Sequence, residues 1–135
     1  MNPILRNILA VVVGAGVCMF LNGWLLGFMM KIIATPKGFD FNDPTTYGLL
    51  EVRHYMSPFV AHAVPSLVGG LVAALIAANH KMTFALVVGG LHLLGGVAAA
   101  FMIPAPAWFI ALDLIVAYLP MAWVGGFLGI AASRK

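Results

Sequence analysis

Residues 59–103 read FVAHAVPSLVGGLVAALIAANHKMTFALVVGGLHLLGGVAAAFMI. Two runs, Phe59–Ala78 and Thr83–Ile103, contain no Asp, Glu, Lys or Arg. At 1.5 Å per residue each is long enough as a helix to cross a hydrocarbon core of about 30 Å. The link between them, Asn79-His80-Lys81-Met82, has room for a tight turn only. This stretch reads as an antiparallel hairpin of helices whose solvent is lipid.

The rest of the chain extends that pattern. Ile4–Ala34 is a third apolar run, longer than a crossing needs, so it tilts or projects beyond the bilayer. Ala107–Ala132 is a fourth, set off by Pro104-Ala105-Pro106, where each proline disfavours helix at the residue before it. Over all 135 residues the apolar fraction is 63% and the charged fraction 8%, too few charges to cover a soluble domain. The expected fold is all-α, a single four-helix integral membrane bundle with one external loop at residues 35–58. Arg6 gives a weak positive start, but the first run far exceeds the 7–15 apolar residues of a signal-peptide core. Val17 before Cys18 spoils a lipoprotein box, so the run is expected to stay as a helix.

Arg6, Lys81, Arg134 and Lys135 fall on one side of this topology, and Lys31, Lys37 and Arg53 on the other. The excess of one places both termini in the cytoplasm. The seven basic residues form no cluster that tracks a phosphate backbone, which sets nucleic acid aside as a partner. A single cysteine excludes an intrachain disulfide and a Cys-rich zinc site. In the external loop, Asp43 before Pro44 is a helix start, predicting one short interfacial helix from Pro44 to about Met56. Asp40-Phe41-Asn42-Asp43 looks like the opening of a calcium loop but lacks the glycine and distant glutamate such a loop needs; turn and helix capping account for it.

Membrane helices associate through small residues, because lipid provides no hydrophobic push. Gly23 and Gly27, Gly69 and Gly70, and Gly125 and Gly129 are the expected packing positions, with Gly89 and Gly96 on the third run. Each face serves either the bundle itself or a homo-oligomer. Pro65-Ser66-Leu67-Val68-Gly69-Gly70 faintly repeats in Pro120-Met121-Ala122-Trp123-Val124-Gly125-Gly126, in two spans of like direction.

Four polar groups stand out within the spans: Asn22, His62, His92 and Asp113. A charged side chain at mid-helix costs roughly 2.5–3.5 kcal/mol on the translocon scale, so Asp113 requires a partner. The helical rise sets His62 about 6 Å below the outer face, Asp113 about 10 Å, His92 about 15 Å and Asn22 near the midplane. All four fit one polar line running inward from the loop. A carboxylate beside an imidazole suits a proton relay or ligand site; interhelical hydrogen bonds that fix the bundle are the plainer account. The depth difference of about 9 Å between His62 and His92 disfavours shared haem ligation, and the four histidines lack zinc spacing. No cofactor and no metal are expected. No Gly-x-Ser-x-Gly, phosphate loop or paired catalytic carboxylates occur, so the chain is not expected to be an enzyme.

The run from His62 through Val68-Gly69-Gly70 resembles a widespread set of small four-span bacterial inner-membrane proteins of no known function. So do Pro104-Ala105-Pro106-Ala107-Trp108-Phe109, Asp113 and Leu119–Gly126, and the loop from Pro36 to Pro44. The resemblance implies the inner membrane and four spans; it implies no reaction, ligand or site residue. Two functions follow as expectations. One is a non-catalytic membrane component, a self-associating bundle or an accessory subunit of a larger complex. The other is a small transporter or ligand- or proton-responsive protein using Asp113, His62, His92 and Asn22.

Overall fold

A computed structural model describes all residues, Met1–Lys135, as an all-helical chain without strands. The helices are α1 (Pro3–Ile32), α2 (Met56–Ile76), α3 (Lys81–Met102), α4 (Ala107–Val116) and α5 (Leu119–Ala132). Four stretches are long and apolar enough to cross a membrane: Pro3–Ile32, Val52–Ile76, Lys81–Met102 and Ala107–Ala132.

The fourth stretch is two helices rather than one. Pro120 lacks the N–H that would bond the Val116 carbonyl, and its ring crowds the preceding turn. The chain leaves helical geometry at Tyr118 (φ −109°, ψ −83°) and restarts with Pro120 in the first turn of α5, where a missing N–H costs nothing. Pro65, by contrast, sits inside α2 without ending it.

α2 is the hub, packed against α1, α3 and α5. Its contacts set the directions of the others. Gly14 and Cys18 of α1 meet Gly69, so α1 runs antiparallel to α2, with Asn7 bonded to Ala78 near one end and Asn22 to Ala61 near the other. Gly70 meets Ala122, and Gly125 and Gly129 meet Leu67 and Leu71, so α5 runs parallel to α2. The faint Pro-and-Gly-Gly repeat thus lies on two adjacent parallel helices, although its two prolines occupy different places in them. A Cβ on Gly125 would run into the Leu67 carbonyl, and one on Gly70 would lie 2.5 Å from the Ala122 carbonyl oxygen. Backbone meets backbone here, which only glycine permits.

Gly23 and Gly27 differ from the other expected packing positions, since no atom lies within 4 Å of an added Cβ at either. The buried residues of α1 are Ala10, Gly14 and Cys18. Gly23 and Gly27 come nine residues after Gly14 and Cys18, which at about 100° per residue is half a turn off the packed face.

At the α2–α3 turn, polar side chains close the end of α2. Arg6 Nε donates to the Ile76 carbonyl, the Ala78 N–H donates to Asn7 Oδ1 at 2.9 Å, and Lys81 Nζ donates to the Ala74 and Ala77 carbonyls at 2.9 Å. These satisfy backbone groups that a helix terminus leaves free.

The segment between α1 and α2 forms two short 3-10 helices, Pro44–Leu49 and Val52–Tyr55, in place of the single helix expected. Asp43 caps the first as expected: its Oδ1 accepts from the Thr45 N–H at 3.0 Å and the Thr45 hydroxyl at 2.7 Å. Thr45, Thr46 and Gly48 then follow, all weak helix formers, and Leu50 and Glu51 are extended. Phe39 packs edge-on against Phe41 and Tyr47, folding this loop onto itself over the end of the bundle.

Candidate functional site

The polar residues of the spans gather near the helix break, where they divide into two groups with different chemistry. The first is closed. Pro65 deprives the Ala61 carbonyl of its helical partner four residues on, and Asn22 Nδ2 donates to that carbonyl at 2.9 Å. The other hydrogen of the same amide points to His92 Nε2 at 3.0 Å. His92 Nε2 is therefore an acceptor, and the neutral ring carries its proton on Nδ1. That Nδ1 lies 2.8 Å from Ser66 Oγ and 3.2 Å from Cys18 Sγ. Ser66 in turn donates to the His62 carbonyl at 2.8 Å. The amide, imidazole and hydroxyl donors of this network each have an acceptor, and a second proton on His92 would face the Asn22 N–H. The network fixes His92 as a neutral cross-link among α1, α2 and α3.

The second group is ionisable. His62 Nδ1 lies 2.8 and 3.0 Å from the two carboxylate oxygens of Asp113, so it carries a proton and donates it. The Tyr118 hydroxyl donates to Asp113 Oδ2 at 3.0 Å. Tyr118 is wholly buried and Asp113 is 5% exposed. Tyr118 follows Asp113 by five residues, an offset that a continuous helix would rotate away from it; the break at Tyr118 brings the hydroxyl back. The His62 ring stacks on Tyr118 with centroids 5.4 Å apart, and His92 meets Tyr118 edge-on at 4.9 Å. No protein group bonds His62 Nε2.

The expected depth separation of His62 and His92 does not hold: their ring centroids are 5.9 Å apart, nearly perpendicular. Straight parallel helices were the premise, and helix tilt and ring reach close the gap. The donor set still offers little to a haem iron, because both nitrogens of His92 are engaged and His62 Nδ1 serves Asp113.

A cavity of about 190 Å³ lies beside this second group, between the loop and the bundle. His62 and Asp113 are in its wall, with Gly96, Phe109 and Leu114 around them. Phe39, Phe41, Tyr47, Leu50 and Tyr55 supply the loop side. No Lys or Arg lines it. Asn22 and His92 are absent from the lining, so of the four sequence candidates only His62 and Asp113 border the space. Three residues of these groups and two more of the cavity wall were not among the sequence candidates. Ser66 carried a legible signal, one helical turn after His62. Cys18, Tyr118 and the cavity-lining His54 and Ser57 take their places from the tertiary fold.

No family model, curated protein or solved structure matches this chain.

Proposed function

We propose that this is a non-catalytic, multi-pass protein of the bacterial inner membrane that binds a small, largely apolar molecule beneath its outer loop. In this reading the His62–Asp113 pair senses protonation and the ligand together. The observation that carries it is the contrast between the two polar groups. Asn22, His92 and Ser66 pair their polar hydrogens within the bundle and, like Cys18 beside them, do not line the cavity, as bundle fixtures should be. The His62–Asp113 pair instead borders a cavity with mostly apolar walls and keeps one ring nitrogen uncommitted. An apolar pocket with a few convergent polar groups is the usual form of a small-molecule site.

His62 Nε2 accepts a hydrogen bond when the ring is neutral and donates one when it is protonated. Protonation therefore changes which ligand group the site prefers. The groups facing His62 are Asp113 from α4, Tyr118 at the break, and His92 from α3. His92 stays neutral through its own network, leaving Asp113 as the charge that answers His62.

The orientation belongs to the same proposal. Arg6 and Lys81 meet at the α2–α3 turn, and parallel α2 and α5 bring Arg134 and Lys135 to that end, which we take as cytoplasmic.

Native mass spectrometry of protein released gently from its own membrane tests the reading. Wild type is expected to carry a small molecule that Asp113→Asn loses. Asparagine keeps an acceptor for His62 but leaves the buried Tyr118 hydroxyl hydrogen without one, so the variant should fold and melt somewhat below wild type. An empty wild-type protein together with an unfolded Asp113→Asn variant would make the pair purely structural.

A second reading, a self-associating bundle or accessory subunit of a membrane complex, is favoured by one observation. Gly16, Gly23 and Gly27 share a face of α1 that meets nothing in the chain. Release of oligomers or of unrelated subunits in the same spectra, abolished by Gly23→Leu with Gly27→Leu, would establish it.

A further inference from the structure

One polar pair in the cavity wall takes no part in either network. His54, in the 3-10 helix before α2, is 7% exposed, and Ser57, in the first turn of α2, is 3% exposed. Both line the cavity. Their side-chain atoms His54 Nε2 and Ser57 Oγ are buried with no hydrogen-bond partner. Buried polar atoms are nearly always paired, and the exceptions call for an explanation.

The tautomer of His54 follows from its other nitrogen. The Glu51 N–H donates to His54 Nδ1 at 2.8 Å, so Nδ1 holds a lone pair and the neutral ring carries its proton on Nε2. The unpaired atom is a donor, and the Ser57 hydroxyl at the start of α2, which can donate or accept, is able to supply a second. Two donors in a wall call for an acceptor oxygen.

The remaining lining restricts what bears that oxygen. With no Lys or Arg present, an anionic head group has no counter-charge. Both oxygens of the one carboxylate, Asp113, already accept hydrogen bonds, which leaves little for a cation. An apolar cavity of about 150 Å³ holds benzene, so about 190 Å³ suits one to two rings. The aromatic side chains of the loop wall suit a flat body.

We propose that His54 and Ser57 form a second polar subsite of this cavity, binding the carbonyl oxygen of an uncharged, lipid-soluble compound of one or two rings. The inference rests on the ligand-binding reading above and adds the ligand's chemical class. Ser57 lies five residues before His62 on α2, about 7.5 Å along the axis. The carbonyl end therefore sits toward the loop and the ring body extends toward His62.

The test uses the full-length protein in lipid nanodiscs with two probes of one skeleton, 1-tetralone and tetralin, the second lacking the ketone. Ligand-observed NMR against empty nanodiscs gives both affinities, and a ¹³C label on the tetralone carbonyl reports hydrogen bonding directly. Tetralone is expected to bind about tenfold more tightly than tetralin, the size of one net hydrogen bond. Its carbonyl resonance should move downfield on binding. In His54→Asn the amide oxygen can replace Nδ1 as acceptor for Glu51 while the Nε2 donor is gone. That variant should bring tetralone to the affinity of tetralin and erase the carbonyl shift. Ser57→Ala should weaken tetralone and leave tetralin unchanged.

Equal binding of the two probes, unaffected by His54→Asn, would overturn the subsite while leaving the cavity as a ligand site; the two donors would then serve an ordered water. If neither probe binds, the cavity reading fails and this inference with it. A His54→Asn protein that does not fold moves the decision to Ser57→Ala and the carbonyl shift in wild type, where no downfield change would overturn it.

Discussion

Asn22 is expected to stabilise the bundle in part by completing the helix that Pro65 interrupts, and that role can be isolated. Asn22→Ala removes two hydrogen bonds, to the Ala61 carbonyl and to His92 Nε2. Interhelical hydrogen bonds in membranes average about 0.6 kcal/mol and reach about 1.7. Leaving a buried polar group unpaired costs about 1–3 kcal/mol. Taking about 1 kcal/mol for each lost bond, the substitution should cost about 2 kcal/mol in the natural background. Pro65→Ala restores an N–H four residues after Ala61, where the ordinary helical bond forms. In that background the carbonyl no longer depends on Asn22, and the cost should fall to about 1 kcal/mol, the His92 share alone. Loss of the Asn22 side-chain volume is common to both backgrounds and cancels. The four proteins form a double-mutant cycle, measured by reversible unfolding in mixed micelles with a denaturing detergent. The coupling of about 1 kcal/mol exceeds the roughly 0.3–0.5 kcal/mol within which independent sites add. Equal costs for Asn22→Ala in both backgrounds would refute the reasoning.

Gly125→Ala drives a methyl into the Leu67 backbone, which cannot rotate aside, so α5 must withdraw from α2; a loss of about 1–3 kcal/mol is expected in the same assay. Gly27→Ala meets open space and should leave unfolding of the monomer unchanged or slightly improved by the better helix former. At Asp43 the Thr45 hydroxyl and N–H hold the carboxyl below its ordinary value of 3.8. Its cap is therefore complete above that value and lost as pH falls through the lowered one. The Thr45 amide resonance should stay fixed down to about pH 4 and move only on stronger acidification; movement near neutral pH would contradict the cap.

Much of the architecture was legible because segments long and apolar enough to cross a membrane obey a simple rule. A spanning segment must be long, apolar and internally hydrogen-bonded. Residues 59–103 meet that rule twice around a turn, and α2 and α3 appear within three residues of the expected limits. The break in the fourth stretch was less legible, since Pro65 and Pro120 are the same residue with different outcomes. Pro65 keeps its helix with Asn22 supplying the missing donor to Ala61; Pro120 starts a new helix. Identity at one position does not tell whether a donor arrives from 39 residues away, at Asn22, to the Ala61 carbonyl in the turn before Pro65.

The polar candidates show the same boundary. Sequence alone determined that Asn22, His62, His92 and Asp113 are costly in an apolar span and must each find partners. Only the tertiary structure decided which partners. It closed Asn22 and His92 into a neutral network and set His62 on Asp113 beside a cavity. It also brought in Tyr118, His54 and Ser57, none of them a site candidate from the sequence. The cost of burying a polar group is a property of the residue and its segment. Whether that cost is offset by a bundle contact or left for a ligand depends on angles between helices that no local pattern contains.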